Sequence, residues 1–153
     1  MSPGLSLIGA AMDSCIINTQ AFATTTSYRS VIVADTCLFK GFKIIVANNT
    51  NLGGGISGTA FNSLITLNRI TSAKYGISNG SNAEISENVI DNISTGIDLI
   101  NSNALVRNNS IYTDPNSSSA VVSGIHIQAF TNDYIPFIDS NYIEINSVQA
   151  YGI

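Results

Sequence analysis

The residues best suited to proton transfer in this sequence are its only histidine, His126, and the aspartate Asp98. Each follows a Gly-Ile pair, because Gly96-Ile97 precedes Asp98 and Gly124-Ile125 precedes His126. A carboxylate beside a histidine orients the imidazole and supports its charged form, so the two side chains are a candidate catalytic pair for a lyase or hydrolase. The alternative is a solvated pair on a polar β-face.

Paired carboxylates offer a second chemistry, because glycoside hydrolysis generally needs two acids about 5 to 9.5 Å apart. Asp133, Asp139 and Glu144 are the candidates in the last part of the chain. Asp133 is predicted to be catalytic, and its neighbour Tyr134 to bind substrate by stacking on a sugar face. Asp139 is predicted to contact substrate, and the more ordinary alternative is a surface ion pair between Arg107 and Asp139.

A repeat must position these residues. The pattern apolar-x-x-Asn-x-Ile occurs at 65–70, 85–90 and 106–111, and its asparagines are Asn68, Asn88 and Asn109. Gly-Ile pairs follow at 76–77 and 96–97. A period near twenty residues is typical of a solenoid, in which each coil buries its apolar face only against its neighbours.

Extending the repeat in both directions predicts three apolar columns that point into the solenoid. The first is Cys15, Cys37, Ile70, Ile90, Ile111 and Ile143. The second is Phe22, Phe42, Ile77, Ile97, Ile125 and Ile153, with Gly41, Gly76, Gly96, Gly124 and Gly152 preceding all but the first. The third is Ala10, Ile32, Ile65, Ile85, Val106 and Ile138.

Three inward columns predict three short strands per coil. The fold class is therefore all-β, a right-handed parallel β-helix of about six coils, in one domain over residues 1–153. The unequal period favours the right-handed type over the left-handed type. In-register stacking puts like residues about 4.8 Å apart, so Lys43, Ser78, Asp98 and His126 form one predicted outward column, with Lys43 as a substrate contact.

Polar residues and cysteines also fall into columns. Asn68, Asn88, Asn109 and Asn141 are predicted to form a ladder in which each amide bonds the next coil or its own turn. Cys15 and Cys37 are predicted to be stacked neighbours. A disulfide between them is compatible with that placement, but buried free thiols are the preferred interpretation.

Three insertions interrupt the period, at 47–62, at 114–119 and at 130–134. The first contains Gly53-Gly-Gly55, which predicts a flexible loop. The first and third are predicted to leave the coil on the same segment and to wall a binding groove, since insertions in solenoids commonly build the binding face.

Composition excludes several classes of partner and ligand. Net charge is −4 and the six basic residues are scattered, which argues against nucleic acid. Although 44% of residues are hydrophobic, no run approaches the ~18 apolar residues of a membrane-spanning helix, so membrane insertion is not expected. The glycine triplet lacks the Lys-Ser/Thr of a phosphate loop, and neither a cofactor nor a metal is expected.

The segment 3–10, followed by Cys15-Ile-Ile17 and the Asn-x-Ile and Gly-Ile coils, resembles the pectate-lyase-like right-handed β-helix superfamily, in its phage tailspike and polysaccharide depolymerase branch. The resemblance implies homotrimers, elongated polysaccharide grooves and glycosidase or lyase chemistry, on a virion or outside the cell. The superfamily also contains non-catalytic structural members. The aspartate cluster with which pectate lyases bind calcium has no equivalent in this sequence.

The leading functional expectation is carbohydrate recognition, with depolymerase activity as an addition, in a groove between the first and third insertions. The alternative is a rigid structural or assembly module, such as a spacer or adhesin. No secretory signal is expected from the start of the chain. Because no polar cap follows the last coil, the chain is expected to belong to a longer protein or to have its end covered by another subunit.

Overall fold

The computed structural model describes residues 1–19, 28–46, 53–58, 61–79, 82–115, 122–146 and 150–151. Over these residues the chain forms eighteen short strands and no helix. The strands lie in three sheets of six, and every paired strand is parallel to its neighbours. The all-β class predicted from the sequence is confirmed.

Sheet A contains β1 (Ser6–Ile8), β4 (Leu38–Lys40), β7 (Leu64–Thr66), β10 (Glu84–Ser86), β13 (Leu105–Arg107) and β16 (Phe137–Asp139). Sheet B contains β2 (Ile16–Thr19), β5 (Lys43–Val46), β8 (Arg69–Thr71), β11 (Val89–Ile93), β14 (Ser110–Thr113) and β17 (Tyr142–Glu144). Sheet C contains β3 (Tyr28–Ile32), β6 (Gly53–Gly58), β9 (Tyr75–Asn79), β12 (Thr95–Ile100), β15 (Val122–Gln128) and β18 (Ala150–Tyr151).

Consecutive strands visit sheets A, B and C in turn, and each strand pairs with the strand three places along the chain. The chain therefore winds through six coils, and the predicted parallel β-helix is confirmed. The right hand of the winding stays a prediction. It is the hand that nearly all crossovers between parallel strands of one sheet adopt.

Over the described residues the core is a stack of apolar side chains, six from sheet A, six from sheet B and five from sheet C. In sheet A the stacked residues are Leu7, Phe39, Ile65, Ile85, Val106 and Ile138. In sheet B they are Ile17, Ile44, Ile70, Ile90, Ile111 and Ile143. In sheet C they are Val31, Ile56, Ile77, Ile97 and Ile125. The inward residues predicted from Ile65 to Ile143 are confirmed.

The predicted columns are wrong in the first two coils. Leu7 and Phe39 take the places predicted for Ala10 and Ile32, and Ile32 instead points outward from sheet C with 60% of its surface exposed. Val31 and Ile56 replace Phe22 and Phe42. Phe22, Gly152 and Ile153 lie outside the described residues.

Phe42, with Gly41 before it, lies in the turn between sheets A and B, where its ring stacks on Phe39 at 4.9 Å between centroids. The first two coils were aligned through a tripeptide that occurs twice, as Asp13-Ser14-Cys15 and Asp35-Thr36-Cys37, and this alignment predicts a constant offset between them. It fails because long connections separate β2 from β3 and β5 from β6.

The two cysteines are not stacked neighbours. Cys15 immediately precedes sheet B, whereas Cys37 immediately precedes sheet A. Ile17 and Ile44 occupy the inward positions that these cysteines were predicted to fill. Both thiols are free, as preferred from the sequence, with Cys37 buried and Cys15 half-buried.

The glycine triplet is not a loop. Gly53–Gly58 is the buried strand β6. Close packing around this strand requires glycine at Gly54 and Gly55. A Cβ on Gly55 would collide with the Ile70 side chain and the Gly76 carbonyl oxygen, and a Cβ on Gly54 would collide with the side chain of Arg29. Residues 47–52 and 59–60 of the first insertion lie outside the described residues.

The insertions leave the coil at different corners. The third lies between β15 and β16, where the chain passes from sheet C to sheet A. The second lies between β14 and β15, where it passes from sheet B to sheet C. The first insertion, 47–62, contains strand β6 and therefore extends across two corners. At 47–52 it shares the corner of the second insertion, and at 61–62 it shares the corner of the third. The prediction that the first and third leave the same segment is therefore wrong for 47–52 and holds for 61–62.

An asparagine ladder links the coils at the corner between sheets A and B. The Oδ1 of Asn88 accepts hydrogen bonds from the backbone N–H and the Nδ2 of Asn68, at 3.0 and 3.2 Å. The Nδ2 of Asn88 donates to the carbonyl of Ile65 and to the Oδ1 of Asn109. Asn109 and Asn141 repeat the arrangement, so the predicted ladder is confirmed.

Each two-residue turn that contains a ladder asparagine begins with a residue in the left-handed backbone conformation. The φ angle is 53° at Leu67, 55° at Glu87, 54° at Asn108 and 51° at Ser140. For residues with a Cβ this conformation costs roughly 1–2 kcal/mol. The asparagine that follows in every turn offsets the cost by binding the backbone on both sides of the corner.

We predict that Asn88→Ala lowers the free energy of unfolding by roughly 3 kcal/mol, because the N–H of Asn68 and the carbonyl of Ile65 lose a buried partner. Urea unfolding measures the change. The matched control is Asn132→Ala, in the exposed turn after β15, where the expected change is within about 0.5 kcal/mol. Equal effects of the two changes would contradict the importance of the ladder.

The left-handed turns give a second prediction. Glu87→Gly is expected to be about 1 kcal/mol more stable than Glu87→Ala, because glycine adopts φ near 55° without strain whereas alanine does not. Both variants remove the same carboxylate, so the comparison isolates the backbone. Identical urea midpoints for the two variants would show that the turns are unstrained.

Candidate functional site

Asp98 and His126 lie side by side on the outward face of sheet C. They are directly paired residues of β12 and β15. The Nδ1 of His126 lies 2.7 Å from the Oδ1 of Asp98. The adjacency predicted from the Gly-Ile spacing is confirmed.

The surroundings of the pair favour a fixed imidazole. The Asp98 side chain is 11% exposed, whereas that of His126 is 49% exposed. A neutral His126 donates its Nδ1 hydrogen to the carboxylate, which makes Nε2 the acceptor nitrogen of the ring. This is the protonation pattern of a general base whose orientation is set by a carboxylate.

Among the described residues paired along this column, no serine lies next to the histidine. Ser78 pairs with Asp98, and Ser57 pairs with Ser78, so both serines follow the aspartate along the column. The order Ser-Asp-His differs from the arrangement in which a histidine lies between serine and carboxylate. The pair is therefore suited to moving a proton rather than to activating Ser78.

Lys43 does not belong to this column. It begins β5 in sheet B, where it pairs with Ile16 and Arg69. The prediction that Lys43 joins Asp98 and His126 is wrong, and its cause is the misplaced Gly41-Phe42 pair, which lies in a turn.

Asp139 lies where predicted, but Arg107 forms its ion pair with a different carboxylate. Asp139 pairs with Arg107 in the sheet A register. The Arg107 guanidinium instead contacts Glu84, with Nη2 2.8 Å and Nε 3.1 Å from Oε1, and this bond raises the pKa of Arg107. Asp139 accepts a hydrogen bond from the hydroxyl of Ser140. The predicted Arg107–Asp139 ion pair is therefore wrong.

The remaining predicted acids lie on different faces. Asp133 is exposed and Tyr134 half-buried in the turn from sheet C to sheet A, while Glu144 lies in sheet B. Hydrogen bonds from Asn146 and Tyr142 lower the pKa of Glu144. A general acid needs a raised pKa, and Asp139 and Glu144 belong to different sheets. These two carboxylates do not form a glycosidase pair.

A groove follows the corner between sheets C and A, where Asn62 of the first insertion and the turn of the third insertion both lie. The sequence analysis predicted a groove between these insertions, but it did not predict the asparagines that line it. It has a volume of about 300 Å³ and crosses three successive coils. Three asparagines recur along it, Asn62, Asn82 and Asn103, one from each coil. Their spacing of twenty and then twenty-one residues matches that of the inner ladder. That regular spacing was the feature of the sequence that could have identified these groove residues.

The groove combines amides, apolar side chains and one acid. Leu64, Glu84 and Leu105 are paired first residues of β7, β10 and β13, and all are half-buried. The Oδ1 of Asn103 accepts a hydrogen bond of 2.6 Å from the backbone N–H of Ile135. The turn that contains Asp133 and Tyr134 therefore borders the groove at its last coil.

Within the described residues, no cluster of three histidine, cysteine, aspartate or glutamate side chains could hold a metal ion. The same part of the chain contains no helix long and apolar enough to cross a membrane. Comparisons with protein-family models, curated proteins and solved structures found no match to this chain.

The single histidine allows a direct test of the pair. At alkaline pH, ¹⁵N NMR of the imidazole is expected to show the proton on Nδ1 in the wild type, because Asp98 accepts it. Asp98→Ala is expected to shift the proton to Nε2. Asp91→Ala, which removes an outward carboxylate of sheet B bound to Arg69, is the control. A wild-type proton on Nε2 would contradict the assigned hydrogen bond.

Proposed function

We propose that this protein is a carbohydrate-recognising β-helix of the phage tailspike type, which holds a polysaccharide in the corner groove. The supporting observation is the row of Asn62, Asn82 and Asn103 beside Leu64 and Leu105. Amides both donate to and accept from sugar hydroxyls, and leucine side chains suit the apolar faces of sugar rings. Such alternation of apolar surface with a few polar groups is typical of ligand sites.

Recognition without cleavage is the function that the groove supports best. Glu84 is the one carboxylate among the residues that line it, and Arg107 holds that carboxylate in an ion pair. Hydrolysis by the usual mechanism needs two acids. Any depolymerase activity is assigned to Asp98 and His126 on sheet C, where the imidazole acts as a general base.

The proposal includes the setting that the sequence resemblance implies. In that setting the protein is a homotrimer on a virion or outside a cell, with a surface polysaccharide as its partner. Parallel coils support this role mechanically, because each coil holds its neighbour through three sheets and the asparagine ladder.

A structural or assembly module is the second candidate function. The observation that favours it is the apolar surface of the first coil, where Ile8, Ile16 and Ile32 are 55–62% exposed. Leu7, an inward residue, is itself 39% exposed. Apolar surface of this kind marks contact sites.

Binding measurements separate the two candidates. A panel of capsular and O-antigen polysaccharides is expected to include at least one that binds the wild type, and Asn82→Ala is expected to weaken that affinity about tenfold through lost hydrogen bonds. Thr71→Ala, on sheet B, is the control and should bind as the wild type does. Failure of every polysaccharide to bind would overturn the proposal.

Light scattering over a range of concentrations provides an independent measurement. A constant trimer mass is expected for the tailspike-type protein. Mass that grows with concentration would favour the assembly module, and Ile16→Asp should then reduce that growth by placing a charge on the apolar surface.

A further inference from the structure

We infer that the corner groove takes a neutral, extended polysaccharide, laid parallel to the axis of the β-helix with one sugar unit per coil. This inference rests on the proposed function, which it narrows to a class of ligand. It concerns three coils, those that contribute Asn62, Asn82 and Asn103.

The spacing of the polar groups supports the axial direction. The backbone N–H of Glu84 donates to Ser63, and that of Leu105 donates to Ala83, so the strands stay in register at the groove. Equivalent residues of adjacent strands are about 4.8 Å apart. That distance is close to the length of one pyranose unit in an extended chain. A regular polymer therefore meets an asparagine side chain at every unit, and at the last unit the Oδ1 of that side chain is already bonded to the N–H of Ile135.

The charge of the groove supports a neutral ligand. Lysine, arginine and histidine are absent from the described residues that line it, and its one charged group is the Glu84 carboxylate. Recognition of carboxylate or phosphate groups ordinarily uses arginine or lysine. The guanidinium of Arg107 is engaged with Glu84 at 2.8 Å. The carboxylates of a polyuronic acid would therefore meet the Glu84 carboxylate, with no basic side chain in the groove to pair with them.

The apolar residues define where sugar faces lie. Leu64 and Leu105 flank Glu84 along the first residues of their strands. Sugar rings that rest on the two leucines bring their hydroxyls toward the amides. The carboxylate between the leucines accepts hydroxyl hydrogen bonds at the central unit, and hydrogen bonds to a charged acceptor are stronger than neutral ones.

Isothermal titration calorimetry with defined oligosaccharides tests the inference. The probes are β-1,4-linked gluco- and manno-oligosaccharides of two to six units, which are neutral and extended. Maltohexaose is the control for shape, because it is neutral but coiled, and hexagalacturonate is the control for charge. Affinity for at least one extended series is expected to rise about tenfold per unit up to three units and then to level off.

Both control sugars are expected to bind at least tenfold more weakly than the best neutral hexamer. Preference for hexagalacturonate, preference for maltohexaose or a flat dependence on length would each overturn the inference. Binding of a surface polysaccharide from the panel without binding of either extended neutral series would also overturn it, while leaving the proposed function intact. Failure of every carbohydrate would overturn both.

A variant of Glu84 tests whether charge, rather than shape, excludes acidic polymers from the groove. Glu84→Gln is expected to raise the affinity for hexagalacturonate at least threefold, because the repulsive carboxylate is gone and the Arg107 guanidinium loses its charged partner. The same change is expected to lower the affinity for the neutral hexamer. The control is Glu87→Gln, an exposed carboxylate at the corner between sheets A and B. An unchanged melting temperature verifies folding. If the variant loses affinity for the neutral hexamer and gains none for hexagalacturonate, the claim that the Glu84 charge excludes acidic polymers is contradicted.

Discussion

The whole rod depends on coils that stack in register, and the asparagine ladder is the interaction that enforces this register. A shift of one residue in a parallel pair would turn every inward isoleucine to the surface. The ladder resists such a shift because Asn88 binds backbone atoms of its neighbouring coil as well as the next asparagine. Those bonds also satisfy buried groups at a corner where the backbone turns through a left-handed residue. At each of these corners a strained left-handed residue is therefore followed by an asparagine whose hydrogen bonds offset the strain.

Stacking in register also brings polar side chains of different coils together. Residues twenty or more positions apart become neighbours at strand spacing, so Asp98 reaches His126 and the outer asparagines form a row along a groove. The two sites differ in character. The pair on sheet C is a single imidazole hydrogen-bonded to a carboxylate, whereas the groove is a series of similar polar positions with one acid. A polymer with a regular repeat is the kind of ligand whose chemistry matches the second arrangement.

The period of the sequence predicted the structure correctly where that period was regular. Between Ile65 and Ile143 the apolar columns, the inner ladder and the contact between Asp98 and His126 follow from counting residues, because strand pairing copies the period into space. It failed in the first two coils, where connections of different lengths separate the strands. There the repeated Asp-x-Cys tripeptide was a coincidence of spacing. Lys43 was assigned to the wrong sheet because the Gly41-Phe42 pair before it lies in a turn and not in sheet C.

The sequence by itself determined the architecture, since alternating β-branched residues at a period near twenty bury their side chains only in stacked coils. The tertiary structure alone decided which faces the polar residues share. Asp139 and Glu144 are five positions apart but belong to different sheets, and Arg107 reaches Glu84 diagonally instead of Asp139 directly opposite. The groove likewise depends on how sheets C and A meet at a corner. A one-dimensional period specifies which residues stack, but the angles between sheets and the choice of side-chain partner are set by packing in three dimensions.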